Sequence, residues 1–144
     1  MIREAVNDDL GGLLELYTHL HGNPIPAASD QLTALWERIT KDADHHIIVA
    51  DEGSKIVSSC VCVIIPNLTH VQQPYALVEN VVTHPDYRKK GLATACLDYA
   101  KELAQQQNCY KLMLLTGSKE ESTLRFYERA GYNSKDKTAF IQWI

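Results

Sequence analysis

The chain has 144 residues, 45% of them hydrophobic and 22% charged, a size and balance that suit one domain, residues 1–144, around one buried core. Its net charge is −4 and no basic run exceeds three residues, which argues against a general affinity for nucleic acid while leaving room for a local anion site. No apolar stretch approaches the ~18 to 20 residues needed to span a bilayer. The opening MIREAVNDDL also lacks the basic and apolar regions of a leader, so a cytoplasmic location without a membrane partner is expected.

In chain order, Ile2 to Ala5 reads as a short strand, and Asn7 is placed to cap a helix with Asp8 and Asp9 in its first turn. Leu10, Leu13, Leu14 and Tyr17 mark one face of that helix. A break from Gly22 to Pro26 precedes a second amphipathic helix, capped by Ser29 or Asp30, with Leu32, Leu35, Trp36 and Ile39 on its apolar side. From His46 the pattern becomes β-branched and forms a hairpin, HIIVAD and KIVSSCVCVII around Glu52, Gly53 and Ser54. A strand from Ala76 to His84 stops at Pro85, and Gly91 opens a helix with Leu92, Cys96, Ala100 and Leu103 on one side. Lys111 to Leu115 reads as a buried strand, Ser118 and Glu121 fit a capping box for a helix ending near Gly131, and Thr138 to Ile144 reads as a closing strand. The expected class is mixed α/β (α+β) with one sheet.

The four cysteines suggest neither a staple nor a metal. Cys60 and Cys62 alternate on one strand, roughly 6.5 to 7 Å apart, at or past the limit for a bridge. Cys96 and Cys109 are isolated, and no C-x-x-C or H-E-x-x-H spacing occurs, so buried neutral thiols and no metal are expected.

Chemistry concentrates in ENVVTHPDYRKKGLATACLDYA. A strand with Val81, Val82 and Thr83 runs into a loop with Arg88, Lys89 and Lys90, then Gly91 and the helix start Leu92, Ala93 and Thr94. Glycine admits a ligand close to the backbone, first-turn N–H groups lack intrahelical partners, and the helix dipole adds positive charge. A pyrophosphate is held by that combination, although the spacing is neither that of a P-loop nor that of a dinucleotide fold. The bland alternative is a solvated charge run at a helix start.

Arg88, Lys89, Lys90, Gly91, Leu92 and Ala93 match the form [RQ]-x-x-G-x-[GA], and FYERAGY places Tyr127 and Gly131 in a second pattern downstream. With these two motifs the chain resembles the GCN5-related N-acetyltransferases, which bind acetyl-CoA through such a loop. The resemblance implies a centrally splayed mixed sheet flanked by helices on both faces, open between Ala76–His84 and Lys111–Leu115. It implies that pantetheine pairs with the backbone of Val81, Val82 and Thr83, that Arg88 to Thr94 hold the pyrophosphate, and that Tyr127 meets the thioester sulfur. Where many members carry Asn and Ala before that tyrosine, this chain has Glu120 and Thr123.

Glu79, in the apolar run LVENVV, is either a base at that strand or a plain structural carboxylate. His84 is a reserve candidate, while His19 and His21 diverge and His45 and His46 flank a strand start. The family analogy sets Tyr17, Trp36 and Arg38 along the acceptor pocket, with core packing the simpler job for Trp36. The expected reaction is acetyl transfer from acetyl-CoA to the primary amine of a small molecule. A protein acetyltransferase and a CoA-binding sensory domain are the alternatives. The closing strand is apolar on both faces, Phe140 and Ile144 against Ile141 and Trp143, so a homodimer through it is expected.

Overall fold

The structure is a computed structural model that describes all residues, 1–144. Its elements are β1 (Ile2–Glu4), a 3-10 turn (Asn7–Asp9), α1 (Leu10–Tyr17), α2 (Asp30–Lys41), β2 (His45–Asp51) and β3 (Ile56–Ile65). A one-turn segment, α3 (Thr69–Gln72), leads to β4 (Tyr75–Thr83), α4 (Leu92–Gln106), β5 (Leu112–Leu114) and α5 (Glu121–Arg129). The strands lie in the order β1-β2-β3-β4-β5, antiparallel except for the parallel pair β4 and β5.

Each face of the sheet has its own core. Cys96, Leu97, Ala100 and Ala104 of α4 pack with Ile48, Cys60, Cys62 and Val78 on one side. Leu13 and Leu16 of α1 and Trp36 of α2 pack with Ile47, Val49 and Val61 on the other. Central β3 is therefore covered on both faces, which is why its sequence is nearly continuously apolar instead of alternating. The three thiols of Cys60, Cys62 and Cys96 are buried, and burial raises the pKa of all three, to about 12 for Cys62 and about 11 for Cys96.

Several local expectations shift. Leu16, not Leu14, is buried with Leu13, because α1 starts from a 3-10 turn and sits close on β3: a Cβ on Gly12 would lie 3.2 Å from Ile56 Cγ1. Leu35 is half exposed, since α2 touches the sheet mainly through Trp36. The Ser29 hydroxyl accepts from the Leu32 N–H at 3.1 Å, so Ser29 is the cap. The Ser118–Glu121 capping box does not form: the Ser118 hydroxyl accepts from the Glu120 N–H at 3.2 Å, and Glu120 is the N-cap. The closing strand is also absent. Residues 138–144 are exposed, and none of their backbone groups bonds to the rest of the chain, because no strand lies along the outer edge of β5.

The N-terminus is tied by Arg3, whose guanidinium donates two hydrogen bonds to Asp9, at 2.6 and 2.9 Å, and two to Asp51, at 2.8 and 3.3 Å. Asp9 also accepts the Val6 N–H at 2.7 Å, in the place expected for an Asn7 cap. Arg3 holds the Asp9 carboxyl below the usual carboxylate range; burial opposes this and the Val6 N–H reinforces it. Because the folded pKa is depressed, this stabilisation is present above the unfolded value, about 3.9, and is lost as pH falls through the folded one. Asp9→Asn is expected to cost about 1.5–3 kcal/mol at neutral pH and to flatten the acid limb of a stability curve measured by urea unfolding.

Candidate active site

β4 changes character halfway along. It pairs with β5 only from Ala76 to Val78, while its pairing with β3 continues to Thr83. From Glu79 to Thr83 the edge turned towards β5 therefore has no strand partner, so backbone N–H and C=O groups stand open within the sheet. On the β3 side, Ser59 pairs with Val82 and Val61 with Glu79, which leaves Asn80 and Val81 opposite Cys60. This is a β-bulge, and Asn80 adopts φ 53° to make it. The bulge resets the alternation: Val78 and Val81 both face the α4 side, and Val82 faces α1 and α2.

β4 ends at Thr83, and a turn capped by His84 and begun by Pro85 brings in the basic loop. The Arg88 Nε–H donates to the Thr83 carbonyl at 3.3 Å, fixing the loop to the strand end. Lys89 and Gly91 have φ values of 60° and 77°, and Gly91 is the N-cap of α4. The first helical bond runs from the Ala95 N–H to the Gly91 carbonyl, so the N–H groups of Leu92, Ala93 and Thr94 have no intrahelical partner. Lys90 Nζ lies 4.6 Å from the centre of the Tyr87 ring. An exposed, three-cation loop thus leads to a free helix N-terminus beside an open strand edge. This set fits a ligand with a strand-like amide arm and a pyrophosphate.

Tyr127 stands on α5, half-buried, with its ring edge-on to Phe126 and Tyr132 at centroid separations of 5.0 and 6.2 Å. Burial raises its pKa, with smaller contributions from Cys60 and from the Glu79 carboxylate, so the hydroxyl keeps its proton at neutral pH. Glu79 is exposed at the position where β5 stops pairing. The Glu79 carboxylate is among the charges that act on Tyr127, although its cross-strand partner Val61 packs on the α1 side of the sheet and Tyr127 on the α4 side.

Other candidates fall elsewhere. Trp36 is a core residue whose indole N–H donates to the Asn7 carbonyl at 3.1 Å. Tyr17 packs on the α1 side of β4 beside Ser59 and Asn80, and burial pushes its hydroxyl up to about 12. His84 also turns to that side, with Nε2 3.1 Å from Lys55 Nζ and its ring edge-on to His19. Burial first, then Lys55, lower its pKa. Lys55 was invisible to the sequence reading because the β2–β3 turn delivers it across 29 residues. Of two cavities of about 230 and 220 Å³, one is lined by Thr40, His45 and His46, the other by Glu15, His19, Lys55 and His84. No group of three or more His, Cys, Asp or Glu side chains is placed to hold a metal, and no helix is long and apolar enough to cross a membrane.

The splayed sheet, the bulged strand and the loop before α4 together make one open site at the centre of an acyltransferase-like fold. Residues 12–132 match the model of the acetyltransferase (GNAT) family, and the chain belongs to that family, whose acetyl donor is acetyl-CoA. It is 28% identical over 137 residues to glucosamine 6-phosphate N-acetyltransferase of Trypanosoma brucei brucei, covering 94% of this chain and 90% of that protein. Among solved structures, a putative acetyltransferase from Agrobacterium tumefaciens str. C58 matches with a TM-score of 0.91 at 35% identity, over 99% of both chains. A structure described as a transcriptional regulator from Bacillus halodurans C-125 matches with a TM-score of 0.88 at 26% identity, again over 99% of both chains.

Proposed function

We propose that the protein transfers the acetyl group of acetyl-CoA to the primary amine of a small molecule, by direct attack with both substrates bound. The observation that carries this reading is the unpaired edge of β4 from Glu79 to Thr83, running into Gly91 and the free N–H groups of α4. Val81, Val82 and Thr83 offer backbone groups to the pantetheine arm. Arg88, Lys89, Lys90 and Gly91, with the N–H groups of Leu92, Ala93 and Thr94, hold the pyrophosphate.

An ammonium has no lone pair, so the acceptor must lose a proton before or during attack. Glu79, exposed at the open edge, takes that proton directly or through water. The Val81 N–H polarises the thioester carbonyl. Tyr127, protonated at neutral pH, gives a proton to the departing sulfur. His84 serves less well as the base, because Lys55 engages its Nε2.

A small amine is favoured because the relative from Trypanosoma brucei brucei, matched along almost the whole chain, is named for a small amino sugar phosphate. The reading includes a cytoplasmic location, which four free thiols suit. Thiol release from acetyl-CoA, measured with amino sugars, their phosphates, polyamines and peptides, tests it. Turnover with a small amine is expected; turnover with peptides alone would make the acceptor a protein, and CoA binding with no turnover on any amine would leave a sensory domain.

Tyr127→Phe is expected to lower the transfer rate by about tenfold to 10² while leaving CoA affinity and melting temperature nearly unchanged. The fall is modest because a thiol with a pKa near 8.5 departs readily as a thiolate. Unaltered rates across pH at saturating acetyl-CoA would leave Tyr127 a packing residue.

A further inference from the structure

A second group of basic side chains gathers away from the start of α4. Lys55 of the β2–β3 turn, His19 just past α1 and His84 just past β4 line the same cavity of about 220 Å³, whose apolar wall includes Leu16, Ile25 and Ile56. Lys55 Nζ stands 3.1 Å from His84 Nε2, and the His19 ring lies edge-on to His84 with centroids 4.7 Å apart. Neither Lys55 nor His19 forms an ion pair with a carboxylate, although Glu15 lines the cavity too. Positive groups therefore face one another here.

The ring of His84 makes the surplus of donors explicit. The Asp86 N–H approaches its Nδ1 at 3.3 Å, capping the turn into the basic loop, while the Lys55 ammonium faces its Nε2. A neutral imidazole has one accepting nitrogen and one N–H. If Nδ1 accepts from Asp86, the Nε2–H points at an ammonium. If Nε2 accepts from Lys55, the Nδ1–H meets the Asp86 N–H, and the Asp86 carboxylate, at 3.9 Å, is beyond hydrogen-bond reach. Two donors meet in either tautomer. An oxyanion seated against Lys55 and Nε2 satisfies the whole set, since it accepts from the ammonium and from Nε2–H while Nδ1 keeps its lone pair for the cap. We propose that this cavity binds a small organic oxyanion, a phosphomonoester or a carboxylate, with Lys55, His84 and His19 at its charged end and the apolar wall against its body. The site is distinct from that of the reacting amine. His84 lies five residues beyond Glu79, on the order of 15 Å of extended strand, which a compact amine does not span.

The test is a titration of the full chain with glycerol phosphate at constant ionic strength, read from the ring signals of His19 and His84 by NMR. It is run without CoA, with CoA and with dephospho-CoA. No turnover is needed, so its failure is distinct from failure of the acetyl-transfer reading. Saturable shifts of both rings are expected in all three conditions, with affinity at least about tenfold weaker in Lys55→Met and kept or strengthened in Glu15→Gln. Lys55 and Glu15 are both exposed, so neither substitution threatens the fold. Shifts that never saturate, or an unchanged affinity in Lys55→Met, would overturn the site. Binding seen only in Glu15→Gln would overturn it as well, by making Glu15 the cluster's own partner. Loss of binding with CoA but not with dephospho-CoA would overturn it by giving the cavity to the phosphate on the CoA ribose.

Discussion

Glu79→Gln lowers turnover at neutral pH by on the order of 10² or more if the carboxylate carries proton removal from the acceptor. The substitution keeps shape and removes charge, and Glu79 is exposed on an edge strand segment, so the fold should tolerate it. Raising the pH supplies more acceptor in its neutral form and recovers part of the loss, which a merely structural glutamate would not do. The check is a pH–rate profile of parent and variant with the same amine. Equal rates and superposable profiles would return Glu79 to a structural role and move the search to His84, or to a water chain.

The second large effect is expected at Gly91. A Cβ built there meets no atom within 4 Å, so a larger residue does not collide with the protein; the cost is the backbone conformation, φ 77°. A non-glycine residue in that region loses about 1–2 kcal/mol, and the added side chain also blocks close approach of a phosphate. Gly91→Val is therefore expected to destabilise the loop by about 1–2 kcal/mol and to weaken CoA binding to the extent that the relaxed loop and the added side chain deny the phosphate its close approach. Lys89→Ala removes one exposed charge and should cost less, with a loss that added salt erases. Calorimetric titration at low and high salt separates the two. CoA binding by Gly91→Val at the parent's affinity would mean that the anion site lies elsewhere.

Where the chain's own contiguous residues build a feature, the sequence revealed it. The loop from Arg88 to Gly91 is such a case: the cations, the glycine and the helix start are neighbours, and the positive φ of Gly91 follows from its lack of a side chain. The hairpin of β2 and β3 was legible in the same way, from two β-branched runs around Glu52, Gly53 and Ser54. Features that depend on pairing between distant strands were not legible. The bulge at Asn80 exists because Cys60 faces two residues of β4, and no periodicity within LVENVV marks it. The contact of Lys55 with His84 depends likewise on the register of the hairpin against β4.

The misreadings have a common cause. Leu35 has the spacing of a core residue, but α2 meets the sheet over a narrow face centred on Trp36. Thr138 to Ile144 has the composition of a strand, but composition does not supply a neighbouring edge, and no backbone group of the segment bonds to β5. A short edge strand such as β5 also lacks the burial its sequence promised: Leu112, Met113 and Leu114 are only half-buried, with no strand on their outer side.

The central claim is that the open edge of β4 and the start of α4 together form the CoA site. Backbone amide NMR during titration with CoA tests it most directly, since it reports on each of these groups by residue. The largest shifts are expected at Val81, Val82 and Thr83 and at Gly91, Leu92, Ala93 and Thr94, with β1 and the start of β2 unaffected. Shifts centred on the cavity lined by Thr40, His45 and His46, with those seven residues silent, would contradict it.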